Sequence, residues 1–261
     1  MDLGIKGRRA LVLGGNRGIG FGIAQALTQE GVDVAIAARN EQRLAEAAKA
    51  LRASGARVEP AQIDLEHVDT LPAFAEDLKA RFGAIDILVN NTGGPAYGGA
   101  TGRPTKEWSA RFQDMVLSVI TLTDCLLPAM RQHKWGRIIT VVSSGVIQPI
   151  PILGISNTLR ASLVAWSKTL SAEVAADGVT ANILVPGRID TERVRLTDEA
   201  TAKQQKIPVD EVKKRSTATI PMGRYGRLEE IGAAVAFMAS APASYMTGAM
   251  VRVDGGIVRS W

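Results

Sequence analysis

LVLGGNRGIGFGIAQAL, Leu11 to Leu27, leaves an apolar run rich in aliphatic residues, crosses three spaced glycines and enters an apolar segment of helical period. Gly14 sits where the chain must reverse, and Gly18 and Gly20 open the following helix. Glycine at these places lets a diphosphate approach the backbone, where unsatisfied N–H groups and the helix dipole favour negative charge. Asn16, Arg17 and Ile19 fill the turn and belong to the same cradle. The spacing is Gly-x-x-x-Gly-x-Gly, between a strand and a helix near the N-terminus, the context that a dinucleotide-binding loop requires.

Outward from this loop the chain alternates short apolar runs with longer helical ones. Strands are expected at Arg9 to Leu13, Val32 to Ala38, Arg57 to Ile63, Ile85 to Asn90, Arg137 to Val142, Thr180 to Val185 and Met250 to Val253. Helices are expected at Gly18 to Gln29, Glu41 to Ser54, Asp69 to Phe82, Ile155 to Ala176 and Leu228 to Ala239, with one long or two short helices in Thr105 to Gln132. Regular β-α alternation implies right-handed crossovers and a doubly wound, Rossmann-type parallel sheet with helices on both faces. No repeat or linker divides the 261 residues, so the expectation is a single α/β domain. Residues 188–227 are polar and weakly periodic, and read as a flexible lid over the substrate.

Apolar residues make up 46% and charged residues 22%, the balance of a soluble globular chain. The N-terminus lacks a basic region followed by an apolar one, and the most apolar stretch, Ile231 to Met250, is broken by Pro242. Neither a leader nor a membrane span is expected. Cys125 is the only cysteine, so no intrachain disulfide forms, which fits a cytoplasmic protein. Residues 188–227 hold ten Lys/Arg against six Asp/Glu. That excess reads as a solvated helix face in preference to a basic flap over an anionic ligand. No basic run interleaves with aromatics, so nucleic acid is not an expected partner.

Beyond its glycines the chain carries NNTG (Asn90 to Gly93), WGRIITVVSS (Trp135 to Ser144), GVTANILVPGRIDT (Gly178 to Thr191) and GAMVRVDGG (Gly248 to Gly256). In order and spacing these blocks resemble the short-chain dehydrogenase/reductase family along essentially the whole chain. The β-ketoacyl-[acyl carrier protein] reductases are the most similar branch. The resemblance implies cofactor contacts from Asn91, Thr92, Gly93, Pro186, Gly187, Ile189 and Thr191, with Asp64 and Leu65 near the adenine. The family has threonine where Leu13 stands and alanine where Thr92 stands. The Thr92 hydroxyl is therefore expected to tie the first strand to the NNTG segment from the opposite side. The second strand ends in Arg39, not in an acid that would bind ribose hydroxyls. With Arg17 it offers planar donor forks suited to a 2′-phosphate, so NADP(H) is expected over NAD(H).

The family mechanism needs a serine that orients a carbonyl, a tyrosine that donates a proton, a lysine that assists it and an asparagine that completes a relay. Counting along the motifs, Ser143 takes the serine's place, Ser156 the tyrosine's, Arg160 the lysine's and Met115 the asparagine's. An aliphatic hydroxyl is a far weaker acid than a phenol, whose pKa is about 10. Arginine keeps the charge but does not release its proton. Tyr97, in the loop after NNTG, is the alternative proton donor, together with water. Arg188, directly after Pro186-Gly187, suits an anionic group on a small-molecule substrate. His67 and His133 are surface positions, and no cluster has metal-ligand spacing. Two functions follow: an NADP-dependent oxidoreductase acting on a carbonyl or quinone-like substrate with a non-standard centre, or a catalytically silent nucleotide-binding protein. Relatives pair through the helix that carries Ser156. Ala161, Leu163, Val164, Ala165 and Trp166 offer apolar surface for a homotetramer or homodimer, and Trp261 offers more.

Overall fold

In the computed structural model, which describes residues 1–260, strand alternation builds one parallel sheet. Trp261 lies outside the described residues. The strands are β1 (Arg9–Leu13), β2 (Asp33–Ala38), β3 (Val58–Gln62), β4 (Ile87–Asn90), β5 (Gly136–Val141), β6 (Val179–Pro186) and β7 (Met250–Val253). Their order is β3-β2-β1-β4-β5-β6-β7, with every pair parallel. The order reverses between β1 and β4, and that switch point is where open α/β sheets bind ligands. Pro60 is tolerated in β3 because that strand lies at an edge.

Each strand divides its residues between two faces, as the two-residue period dictates. Ala10 and Val12 of β1 and Val34 and Ile36 of β2 pack with α1 (Gly18–Gln29), α2 (Glu41–Leu51) and α9 (Leu228–Met238). Leu11, Leu13, Ala35 and Ala37 pack on the other face with α3 (Leu71–Phe82), α5 (Ser118–Gln132) and α6 (Gly154–Val174). The single-domain, doubly wound fold expected from the sequence is the one observed.

Three details differ from the sequence reading. The segment Thr105 to Gln132 is α4 (Thr105–Phe112), a π turn (Gln113–Leu117) and α5. This continuous run is long and apolar enough to cross a membrane by length and composition. Leu122, Leu126, Leu127 and Met130 nevertheless pack on the sheet in the core. Residues 188–227 are more ordered than a flexible excursion, holding α7 (Glu192–Gln205) and α8 (Val209–Ala218). Only Asp198 and Ala202 are buried in α7, so no apolar stripe announces the helix. Part of the basic charge there is paired, by Arg188 with Asp198, Arg195 with Asp190, Arg215 with Glu211, and Arg224 and Arg227 with Glu230.

Candidate active site

The carboxyl ends of β1, β2, β4 and β5 open into a cavity of about 710 Å³. At its nucleotide end Gly14 adopts φ +64°, and a side chain there would strike Asn91. Gly20 packs so tightly that a Cβ would overlap the Gly14 carbonyl. The N-terminus of α1 has no side-chain cap and no acid in its first turn, leaving its N–H groups to a ligand. By contrast, Asn40 caps α2 by accepting from the Arg43 N–H at 2.8 Å.

Gly14, Asn16, Arg17, Gly18 and Ile19 line the cavity, as do Arg39, Asp64 and Leu65 and, beyond them, Asn91, Thr92, Gly93 and Thr191. Gly20 lies behind this wall. Arg17, Arg39 and Arg43 form a cationic rim. Arg39 pairs with Glu66 at 3.5 Å, and Arg17 and Arg43 both reach Glu192 at the start of α7, at 3.0 and 3.5 Å. The two cations hold the Glu192 carboxyl below its ordinary range, the Arg17 hydrogen bond first. Thr191 caps α7, accepting from the Val194 N–H at 3.3 Å, and packs over Gly18. The start of α7 therefore lies directly against the phosphate loop.

Several expectations require correction. The Thr92 hydroxyl is buried without a hydrogen-bond partner. The tie to the first strand is made by the Asn91 amide, whose Nδ2 donates to the Leu13 carbonyl at 3.1 Å. Pro186, Gly187 and Ile189 do not line the main cavity. Gly187 donates to the Val253 carbonyl, and Ile189 is core. Arg188 turns away to Asp198, which also accepts from the Tyr225 hydroxyl at 2.8 Å. That triad fastens α7 to the loop before α9 through one Nη of Arg188, whose Nε has no hydrogen-bond partner. Leu163 is buried in the core, whereas Ala161 and Ala165 are exposed.

At the reaction end, Ser143, Ser156, Arg160 and Tyr97 all face the same cavity. Ser143 caps a short 3-10 turn, its Oγ accepting from the Gly145 N–H at 3.1 Å. Ser156 is buried on the first turn of α6. Tyr97 is half-exposed, and its hydroxyl shares a hydrogen bond of 2.7 Å with Thr197 on α7. Arg160 does not reach toward open space. It donates to the carbonyls of Val141 at 2.9 Å, Thr92 at 3.2 Å and Gly93 at 3.1 Å, joining the ends of β4 and β5. Burial pulls its pKa down to about 10, and the neighbouring Arg193 adds to that, so it stays charged at neutral pH. Met115 is core, packed with Ile155 and Leu159.

Arg43, Asp114, Glu192 and Arg193 are among the residues facing this cavity that the sequence reading missed. Arg193 donates to the Gly94 and Pro95 carbonyls, at 3.4 and 3.2 Å, and closes α7 onto the loop that carries Tyr97. Arg43 had a visible signal, a second arginine in the first turn of the helix that follows Arg39. The other three depend on the π turn and on α7, which apolar periodicity does not reveal.

Residues 14–258 match the family model described as enoyl-(acyl carrier protein) reductase. The chain belongs to the short-chain dehydrogenase/reductase family. It is 33% identical over 257 residues to the 3-oxoacyl-[acyl-carrier-protein] reductase FabG of Salmonella typhimurium, covering 98% of this chain and 99% of that one. Among solved structures it is similar to L-sorbose reductase from Gluconobacter frateurii, complexed with NADPH and L-sorbose, with a TM-score of 0.96, 31% identity and all of both chains covered. It is also similar to YwfH, an NADPH-dependent reductase involved in bacilysin biosynthesis, with a TM-score of 0.93, 29% identity and coverage of 98% of this chain and 100% of that one. Membership of this reductase family supports an oxidoreductase function for the cavity. Among the described residues, no group of three His, Cys, Asp or Glu side chains is disposed to hold a metal ion.

Proposed function

We propose that the protein is an NADP-dependent oxidoreductase that reduces a carbonyl or quinone-like small molecule, with a reaction centre unlike the family's. The observation that carries this reading is one continuous cavity. The glycine cradle and the Arg17, Arg39 and Arg43 rim stand at one end of it, and Ser143 and Ser156 at the other. Arginine forks suit a 2′-phosphate, and no acid follows β2 to favour ribose hydroxyls. Two similar structures are of NADPH-dependent or NADPH-bound reductases, which agrees with that preference.

The residues fit a dinucleotide: a Cβ would fill the cradle at Gly14 and Gly20, and the first N–H groups of α1 are free of side-chain caps. The reduced nicotinamide supplies hydride when bound. The chain's own residues do the rest. Ser143 presents a hydroxyl to the substrate oxygen. Ser156 leaves room where a phenol would stand. Arg160 places its charge at the ends of β4 and β5 and fixes the Thr92–Gly93 segment. Tyr97 and Arg193 hold α7 over the opening, in a lid whose helices span 192–205 and 209–218.

The silent nucleotide-binding reading has one observation in its favour: the guanidinium of Arg160 is engaged with three carbonyls instead of assisting a proton donor. NADPH consumption, followed at ~340 nm against ketones, acyl thioesters and quinones, separates the two. Turnover of one class supports the oxidoreductase, and saturable NADPH binding without turnover across the panel supports the silent protein. The exposed Ala161 and Ala165 on α6 also suit self-association into a dimer or tetramer, and a monomeric mass in light scattering would refute it.

A further inference from the structure

Six arginines face the main cavity, and four of them already meet carboxylates. Arg17 and Arg43 reach Glu192, Arg39 reaches Glu66, and Arg111 reaches Glu66 and Asp114. Among the described residues, no carboxylate pairs with the remaining two, Arg160 and Arg193. The acids that flank Arg193 along the chain are engaged elsewhere, Asp190 with Arg195, Glu192 with Arg17 and Arg43, and Asp198 with Arg188. Positive charge without a counter-charge is thus confined to the reaction end.

The two unpaired cations are not equally free. Arg160 is buried, and its fork is spent on the Val141, Thr92 and Gly93 carbonyls. Arg193 is exposed and opens on the cavity. Its Nη1 and Nη2 each donate to one carbonyl, of Gly94 at 3.4 Å and of Pro95 at 3.2 Å. Of the five N–H donors of a guanidinium, three remain. The two carbonyls orient the group and leave its net charge uncancelled. That charge opposes the Arg160 cation more strongly than Asp114 supports it, which places Arg193 beside Arg160.

The loop after β4 brings this guanidinium to the helix that carries Ser156. Gly98 donates to the Ile152 carbonyl at 2.8 Å and accepts from the Gly154 N–H at 3.0 Å. A Cβ on Gly154 would strike the Gly99 carbonyl. The loop therefore rests on the first turn of α6, and Arg193 grips the same loop at Gly94 and Pro95. Leu153, between those contacts and Ser156, adds an apolar wall to the cavity. A cation in a cleft with low-dielectric walls concentrates anions there, and the planar fork of arginine matches a planar carboxylate.

We propose that Arg193 binds a carboxylate on the substrate, so that the molecule reduced is an oxo acid, with its carbonyl at Ser143 and its carboxylate at the Arg193 guanidinium. The inference rests on the oxidoreductase reading and narrows its substrate class. In the reduction the C=O carbon gains a hydride from the reduced dinucleotide, and the oxygen gains a proton drawn from solvent. The products are a hydroxy acid and the oxidised dinucleotide, and the carboxylate is unchanged.

The test uses pyruvate, acetoacetate and levulinate, each beside its methyl ester, so that the charge is removed at three separations from the carbonyl. Wild type, Arg193→Gln and Arg193→Lys are compared in NADPH-dependent reduction and in calorimetric titration of the NADP+-loaded protein with each probe. At least one acid is expected to exceed its ester by roughly 10- to 100-fold in wild-type kcat/KM, chiefly through KM. Arg193→Gln is expected to bring that ratio close to one while NADPH affinity changes by less than about threefold. Arg193→Lys, which keeps the charge without the fork, is expected to retain part of the ratio. Esters that match their acids in all three pairs would overturn the proposal. So would an Arg193→Gln protein whose acid-to-ester ratio is that of wild type, the result expected if Arg193 only fastens α7 to the loop. A loss of NADPH affinity as large as the loss for the acid would assign Arg193 to the dinucleotide instead. If wild type binds NADPH and reduces no probe, the oxidoreductase reading falls, and calorimetry then decides the carboxylate site by itself. An acid held by wild type and not by Arg193→Gln supports the site, and equal or absent binding overturns it.

Discussion

The two ends of the cavity are made of different material. The nucleotide end is backbone: glycines without room for a Cβ, free N–H groups at α1 and an Asn91 amide that ties β4 to β1. The reaction end is side chain: Ser143 after β5, Ser156 and Arg160 on α6, and Tyr97 on the loop after β4. The cradle tolerates little change at Gly14 and Gly20, where an added Cβ would collide with Asn91 and with the Gly14 carbonyl. A side-chain centre accepts a different set of groups on the same frame. By the resemblance in sequence, the first end keeps the family's glycine spacing and differs at Leu13 and Thr92, and the second differs at Met115, Ser156 and Arg160.

Substitutions at the two ends should therefore fail in different ways. Arg160→Met should have the largest effect, leaving the buried Val141 and Thr92 carbonyls and the part-buried Gly93 carbonyl without their donor and costing roughly 3–5 kcal/mol of stability in urea unfolding. An unchanged urea midpoint would show that Arg160 is dispensable to the frame. Gly20→Ala should leave the sheet intact but displace the Gly14 carbonyl, weakening NADPH binding by about 100-fold, close to 3 kcal/mol. Calorimetric titration giving wild-type affinity would break the contrast between the two ends. Arg17→Ala and Arg43→Ala should each weaken NADPH about tenfold and leave NADH nearly unaffected. Equal losses for both dinucleotides would remove the 2′-phosphate from the argument. Glu192→Gln should have the smallest effect, freeing Arg17 and Arg43 and tightening NADPH a few-fold at low salt, with the gain vanishing at high salt. A gain that survives high salt would mean that the carboxylate acts through the shape of the lid instead.

What the sequence made legible divides along the same line. The apolar runs of β1, β2 and β4 and the glycine spacing before α1 are local patterns, and they led directly to the parallel sheet and the phosphate loop. The helices of the lid escaped because α7 buries only Asp198 and Ala202 and so carries no apolar face. Arg188 and Arg160 were placed correctly along the chain, but their partners were not foreseeable. One meets Asp198 ten residues on, and the other meets carbonyls 19, 67 and 68 residues back. The Thr92 expectation failed because a neighbouring side chain, the Asn91 amide, reaches the Leu13 carbonyl first. Asp114 was overlooked because a simple count along α4 ends on Met115, and the π turn that brings its neighbour to the cavity has no signature in residue type.

The grip of Arg160 on Val141, Thr92 and Gly93 makes its exchange with lysine unequal in the two directions. A planar fork can span three acceptors that a single ammonium cannot hold together. Going from lysine to arginine on this frame adds a fastening. Going back removes one before any proton chemistry is regained. Arg160 is thus held in place by architecture, and any exchange for lysine would have to mend the junction of β4 and β5 first.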